Sequence, residues 1–197
     1  MRQHWKKIGL IYNSQSYCSV PIAIPLSQRI IRIIFSTRDI DDQSLPFAID
    51  YNLYAQKTEN EFKINVNLGL PGSFDENGIM PSCFIIKDQK ISLYYIGWTK
   101  RCSKPFRNAI GLMTSENMGK SFIKYSVGPI LDRGIYDNCF VASNCVIKDN
   151  DIYKMYYLSC DKWIYEKGNL KHYYNIKYAE SKDGIHWNRA GHIAIDY

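Results

Sequence analysis

The sequence predicts an all-β fold assembled from repeated four-stranded antiparallel units, and three observations predict it. The 197 residues include 16 Tyr, 8 Phe and 4 Trp alongside many Ile, side chains that suit a pleated, half-buried surface. Ala-rich helical stretches are missing, so the strongest helix formers are not grouped anywhere. Segments of the chain also recur at an offset near 60 residues, which is the mark of a repeat architecture. The remaining composition, 46% hydrophobic and 22% charged, is that of a globular domain and excludes a disordered or collagen-like chain.

The elements follow in chain order. In the first unit, Pro21-Ile22-Ala23-Ile24-Pro25-Leu26 is an apolar strand, and a second strand runs over residues 29–35. The second unit opens on residues 82–86, turns at Lys87-Asp88-Gln89-Lys90 and continues through Ile91-Ser92-Leu93-Tyr94-Tyr95. A near-twofold alternation in that last run buries one face more than the other. Its third strand is Ile110-Gly111-Leu112-Met113-Thr114-Ser115, followed by a turn and Phe122. The third unit repeats this grammar. Residues 82–95 line up with residues 144–157, Lys87-Asp88 with Lys148-Asp149, Tyr94-Tyr95 with Tyr156-Tyr157 and residues 110–115 with 176–181. Ile34-Phe35 takes the Tyr-Tyr place in the first unit, 60 residues before Tyr94-Tyr95.

Four strands of about six residues plus turns fill such a period, and a four-stranded antiparallel repeat is the blade of a β-propeller. The expected units are residues 18–70, 71–133 and 134–197 of one partial propeller domain. Ile85, Leu93, Tyr95, Val146, Met155 and Tyr157 are the expected core. Ser181-Lys182-Asp183-Gly184-Ile185-His186-Trp187 reads as a structural turn, with Asp on backbone donors and Gly in the left-handed position. Residues 115–122 are a longer relative of it, with Asn117 where Asp is usual.

Composition also bounds function. The longest apolar run, residues 30–35, is short and contains Arg32, so no membrane span is expected. The basic start Met1-Arg2-Gln3-His4-Trp5-Lys6-Lys7 precedes too short an apolar run, residues 8–12, for a secretory leader. A cytoplasmic location is the expectation. Six cysteines without Cys-x-x-Cys spacing read as free, buried thiols rather than disulfides or a metal site. His4, His172, His186 and His192 show no ligand spacing, and no metal or other cofactor is expected. The formal charge of +6 is mild and spread along the chain; it permits an anionic sugar or phosphate partner and does not argue for nucleic acid.

Gly72-Ser73-Phe74-Asp75-Glu76-Asn77-Gly78, Tyr94-Tyr95-Ile96-Gly97-Trp98 and Asn108-Ala109-Ile110-Gly111-Leu112 are similar to segments of the five-bladed propeller glycosidase superfamily, as in glycoside hydrolase families 43 and 32. Phe35-Ser36-Thr37-Arg38-Asp39 and residues 176–187 share the resemblance. It implies a carbohydrate-active propeller, truncated to about three of five blades and self-associating through its open blade edges. Hydrolysis of a glycosidic bond is the implied activity. A non-catalytic glycan-binding or polysaccharide-biosynthesis accessory module, or an inactive truncated remnant, is the alternative. The resemblance places carboxylates at the starts of successive inner strands, where glycosidases need two of them in opposite protonation states. Asp75 and Asp137, 62 residues apart, hold those places as water-activating base and tuning carboxylate. The general acid has no counterpart up to Tyr197 and is expected from beyond it. Asp75 and Asp137 read equally as turn or cap residues. Arg38, Asp39, Glu76, Trp98 and Arg107 are the candidate substrate-binding residues.

Overall fold

The computed structural model describes residues 5–7, 9–14, 17–102 and 104–196. Met1, Arg2, Gln3, His4 and Ile8, which belong to the leader reading, lie outside the described residues, as does Tyr197. The chain is all-β. Its first four strands are β1 (Ser19–Pro25), β2 (Ile30–Arg38), β3 (Ser44–Asn52) and β4 (Lys57–Lys63). The next four are β5 (Gly78–Lys87), β6 (Lys90–Lys100), β7 (Phe106–Ser115) and β8 (Ile123–Lys124). The last four are β9 (Phe140–Asp149), β10 (Ile152–Glu166), β11 (Asn169–Ser181) and β12 (Asn188–Ile195). Within each group of four, consecutive strands pair antiparallel. The first two groups touch through the parallel bridge of Ser44 to Gly78, and Asn65, just past β4, bridges in parallel to Ser121, just before β8.

Hairpin chemistry explains the strand pairing. Asp88 and Gln89, and again Lys167 and Gly168, have positive φ at both central positions of their turns, the twist that suits a two-residue hairpin. In both β5 and β9 the register shifts once, between Pro81 and Cys83 on β5 and between Tyr157 and Leu158 where β10 meets β9. Such bulges bend a strand and increase its twist, here at the same place in two successive units. The β10–β11 hairpin extends past the length expected from the sequence, because pairing continues from Cys160 to Glu166 beyond a further bulge. Trp163 is carried out on that extension.

Two apolar clusters fill the seams between the four-stranded groups. Ile24, Ile34, Ala48, Leu93, Tyr95 and Met113 join the first group to the second, and Tyr94, Leu112, Val141, Val146, Met155 and Tyr157 join the second to the third. The expected core residues Leu93, Tyr95, Val146, Met155 and Tyr157 are all buried, and Ile85 is partly buried against the second cluster. Polar links cross the same seams. Arg32 donates to the Met118 carbonyl at 2.6 Å, and Tyr94 donates to the Gly184 carbonyl at 2.9 Å. Each thus reaches the turn before the fourth strand of the following group. On the inner strands, Ser82 Oγ bonds both the N–H and the carbonyl of Asn144, and Cys83 Sγ does the same with Val146. The cysteines are free, as expected, but the burial expectation needs correcting. Cys160 is buried, Cys83 and Cys139 are half-buried, and Cys18, Cys102 and Cys145 are exposed.

Among the described residues, nothing covers the far face of the third group in this way. Cys145, Ile147 and Tyr156 repeat the places of Cys83, Ile85 and Tyr94, yet Ile147 is 48% and Tyr156 40% exposed, whereas Tyr94 is 2% exposed. On the first group, by contrast, Tyr12 packs on Phe35 at 5.4 Å and donates to Glu61. Covering one aliphatic or aromatic side chain contributes about 1.5–3 kcal/mol, so a further layer packed on this face would add stability. Sedimentation of the wild-type chain is expected to show concentration-dependent association, and Ile147→Lys with Tyr156→Lys to shift it to monomer. A wild-type monomer at all concentrations would refute this.

Candidate functional site

Asp75 and Asp137 occupy matching places, each just before the inner strand of its group, and each is 1% exposed. Tyr95, 20 residues after Asp75, donates to its Oδ2 at 2.8 Å, and Lys124 Nζ lies 2.6 Å from the same oxygen. Tyr157, 20 residues after Asp137, donates to that carboxylate at 3.2 Å. Ser159 donates at 2.7 Å and Arg189 at 2.7 Å. Lys177 Nζ stands 3.6 Å from both Asp137 and Asp161. In each case the lead-in loop is tied to the second strand through Tyr and to the fourth through a cation. Burial, with the nearby aspartate second, raises the pKa of both tyrosines, so they stay protonated donors. Space for the first cluster depends on glycine: a Cβ on Gly111 would sit 2.3 Å from the Tyr95 ring, and one on Gly97 2.7 Å from Asp75 Cβ.

The two carboxylates therefore have separate partner sets. Asp75 lines a cavity of about 630 Å³ with Leu68, Ser73 and Lys124, and Asp137 is not among its residues. Both carboxylates are engaged by cations and hydroxyls, and a carboxylate sealed in this way is poorly placed to meet water. Glu76 accepts from the Gly72 N–H, and Asp39 accepts from the Asp41 and Gln43 N–H groups at 3.0 and 2.8 Å. These two side chains close turns. Asp183 does likewise for Ile185 and His186; its pKa is held low by the His186 ring first and by those N–H groups next.

Arg38 and Trp98 are brought together. The guanidinium lies 5.2 Å from the Trp98 ring centre and 5.3 Å from the Tyr17 ring centre, a cation over aromatic faces. Arg38 also pairs with Asp42, which Lys100 approaches at 3.5 Å. Trp98 is buried at 6% exposure against Gly78, with Nε1 unpartnered. Arg107 stands on β7, half-buried and paired with Asp132.

Arg107 lines an opening at the end of β7. A groove of about 430 Å³ runs between Phe106, Arg107, Arg133 and Trp163. A recess of about 180 Å³ adjoins it through Arg101 and Arg107 and reaches Thr99, Asn108 and Asp132. The groove wall is an aromatic cluster in which Phe106 stands 5.4 Å from Trp163 and 5.5 Å from Phe140, edge to face. Sequence reasoning missed Thr99, Asn108, Asp132, Arg133 and Trp163. The available signal was the cluster Lys100-Arg101, Lys104 and Arg107 around Phe106; the arrival of Asp132 and Trp163 from other loops was invisible. Among the described residues no group of three His, Cys, Asp or Glu is placed to hold a metal ion, and no helix is long and apolar enough to cross a membrane.

No protein-family model matches the chain. Two proteins of Mycobacterium tuberculosis, each described as uncharacterized, are 28% identical to it over 201 residues, covering 98% of this chain and 66% of theirs. The chain thus spans slightly under two thirds of the length of these curated relatives. Its fold is that of solved glycoside hydrolases. An endo-1,4-β-xylanase of Bacteroides thetaiotaomicron superposes with a TM-score of 0.64 at 14% identity, covering 99% of this chain and 64% of that one. A family 32 β-fructofuranosidase of Bombyx mori gives 0.61 at 13%, covering 87% and 34%. A family 117 glycoside hydrolase of Zobellia galactanivorans gives 0.56 at 15%, covering 88% and 45%. At such identities the likeness is one of fold.

Removing one partner of a buried ion pair costs about 3–5 kcal/mol because the other charge is left uncompensated. Asp137→Ala, which takes the carboxylate from Arg189 and leaves Lys177 with Asp161 alone, is expected to destabilise by that amount in denaturant unfolding. Tyr157→Phe, which removes a single hydroxyl donor, is expected to cost about 1 kcal/mol. Equal, small losses in both variants would remove the carboxylate from its structural role.

Proposed function

We propose that the chain is a carbohydrate-active protein that holds a glycan in the groove where β6, β7 and the β10–β11 hairpin meet. The observation that carries this reading is the juxtaposition of the Arg107–Asp132 pair with Phe106 and Trp163 in one groove. A sugar offers hydroxyls around its edge and an apolar face. Charged planar groups answer the first and aromatic side chains the second. Binding sites of this kind are concave and carry a few fixed polar groups on an apolar wall. The glycoside hydrolase fold of the chain supports the substrate class and leaves the individual sugar to experiment.

Glycosidic hydrolysis is a second reading, favoured by the recurrence of Asp75 and Asp137 at the starts of successive inner strands. In it Asp75 is the base, Asp137 the tuning carboxylate, and the acid comes from additional polypeptide. The cover over both carboxylates would have to open for water to reach them. The three-blade form and its completion by association belong to the same proposal.

Glycan binding is measured by titration calorimetry against a panel of oligosaccharides. Arg107→Ala and Trp163→Ala are each expected to weaken the preferred glycan about tenfold, which corresponds to about 1.4 kcal/mol. No binding to any glycan by the folded wild-type chain would overturn the proposal. Turnover of aryl glycosides that Asp75→Asn abolishes without a change in Tm would select hydrolysis instead.

A further inference from the structure

We infer that the groove takes an acidic saccharide, one whose sugar ring bears a carboxylate or a phosphate; this rests on the glycan reading above and narrows it. Four cationic residues, Arg101, Lys104, Arg107 and Arg133, line the one groove. Among the described residues only Asp132 offers a carboxylate to them, and Arg107 takes it. Arg32, Arg38, Lys90, Lys100, Lys124, Lys154, Lys171, Lys177 and Arg189 all stand beside carboxylates. Positive charges that converge without counter-charge repel one another, and an anion relieves that repulsion.

The adjoining recess supplies a second, independent observation. Thr99 is 1% exposed and lines the recess, with its Oγ1 lacking any hydrogen-bond partner. A buried hydroxyl left unpaired is unfavourable, so Thr99 awaits a ligand atom. Its hydroxyl both donates and accepts. A sugar hydroxyl answers it in either sense. The recess is thus a place for hydroxyls and the outer groove a place for charge, with Arg101 and Arg107 shared between them. Phe106 and Trp163 flank the outer part. A pyranose carrying one acidic group matches that order.

The test is calorimetric titration of the folded chain at low salt with four probes: a galacturonate oligosaccharide, glucose 6-phosphate, a neutral xylo-oligosaccharide and inorganic phosphate. The expected result is that one of the two acidic sugars binds at least about tenfold more tightly than the neutral one, an advantage that 0.5 M salt erodes by screening. Whichever acidic sugar leads identifies the source of the anion. Arg133→Ala and Lys104→Ala are each expected to cut the advantage of the acidic sugar to under about threefold. Thr99→Val is expected to weaken acidic and neutral sugars alike. Lys182→Gln, an exposed charge on a distant turn, is expected to change neither. Equal binding of acidic and neutral sugars would overturn the acidic specificity and leave the glycan reading standing. Inorganic phosphate binding as tightly as glucose 6-phosphate, with no uronate binding, would overturn both, and so would no binding by any probe.

Discussion

A buried aspartate at the head of an inner strand is the constraint on which the repeated unit depends. Asp75 and Asp137 are each sealed from solvent, and each meets a tyrosine from the second strand and a cation from the fourth. A buried carboxylate without such partners costs several kcal/mol, and with them roughly breaks even. Its value lies in geometry: only one placement of the lead-in loop satisfies the tyrosine hydroxyl and the cation together. The loop is thereby fixed across the face of its own sheet before the inner strand begins, and strands one, two and four are set relative to one another. The first group uses a different device, the bidentate pair of Arg32 with Asp50 at 2.7 and 2.9 Å. That pair lies between adjacent strands β2 and β3 and leaves one guanidinium nitrogen free to reach the next group.

The seams follow from these fixed units. Apolar side chains supply the area, and a few directional bonds set the alignment. Arg32 and Tyr94 each donate to a carbonyl in the turn before the next group's fourth strand, while Ser82 and Cys83 clasp the backbone of the next inner strand. Each seam is thus pinned at its outer turn, and the second seam again where β5 meets β9. Tyr156 repeats the place of Tyr94 and turns instead to Tyr178, at 5.2 Å between ring centres. Its exposure is the structural signature of a face built to the same pattern as one that is covered.

The groove is a by-product of the same seam. Past the covered region the strands diverge, and Ile96, Phe140 and Cys160 close the floor beneath Phe106 and Trp163. Loop residues Asp132 and Arg133 approach from one side and Arg101 and Lys104 from the other. Binding residues on loops held by a rigid scaffold are the usual economy of such folds. Here, among the described residues, the scaffold leaves cations without counter-charge at the mouth and the Thr99 hydroxyl unpaired in the recess, and the acidic-sugar proposal rests on that combination.

The sequence by itself determined the repeat and much of what the repeat entails. Strand alternation, the Lys-Asp hairpins, the Ser-x-Asp-Gly turn and the 62-residue spacing of the aspartates are local or periodic, and backbone sterics and side-chain period make such features readable along one dimension. The alternation also placed Leu93, Tyr95, Met155 and Tyr157 in the core. Residues 38 and 98 were singled out on sequence grounds, and the fold sets them face to face. What the sequence could not carry was the identity of partners distant along the chain. Asp75 and Asp137 read as a catalytic pair or as turn residues with equal right, because the spacing that implies a shared pocket also implies two separate copies of one clamp. Only the three-dimensional arrangement shows Lys124 and Arg189 against them. It also decided that Arg107 stands on a strand beside Asp132, that Trp163 rides an extended hairpin to the same groove, and that Thr99 faces a recess with nothing to bond. Those contacts join residues 25 to 60 positions apart through side-chain reach and blade curvature, which no local pattern encodes.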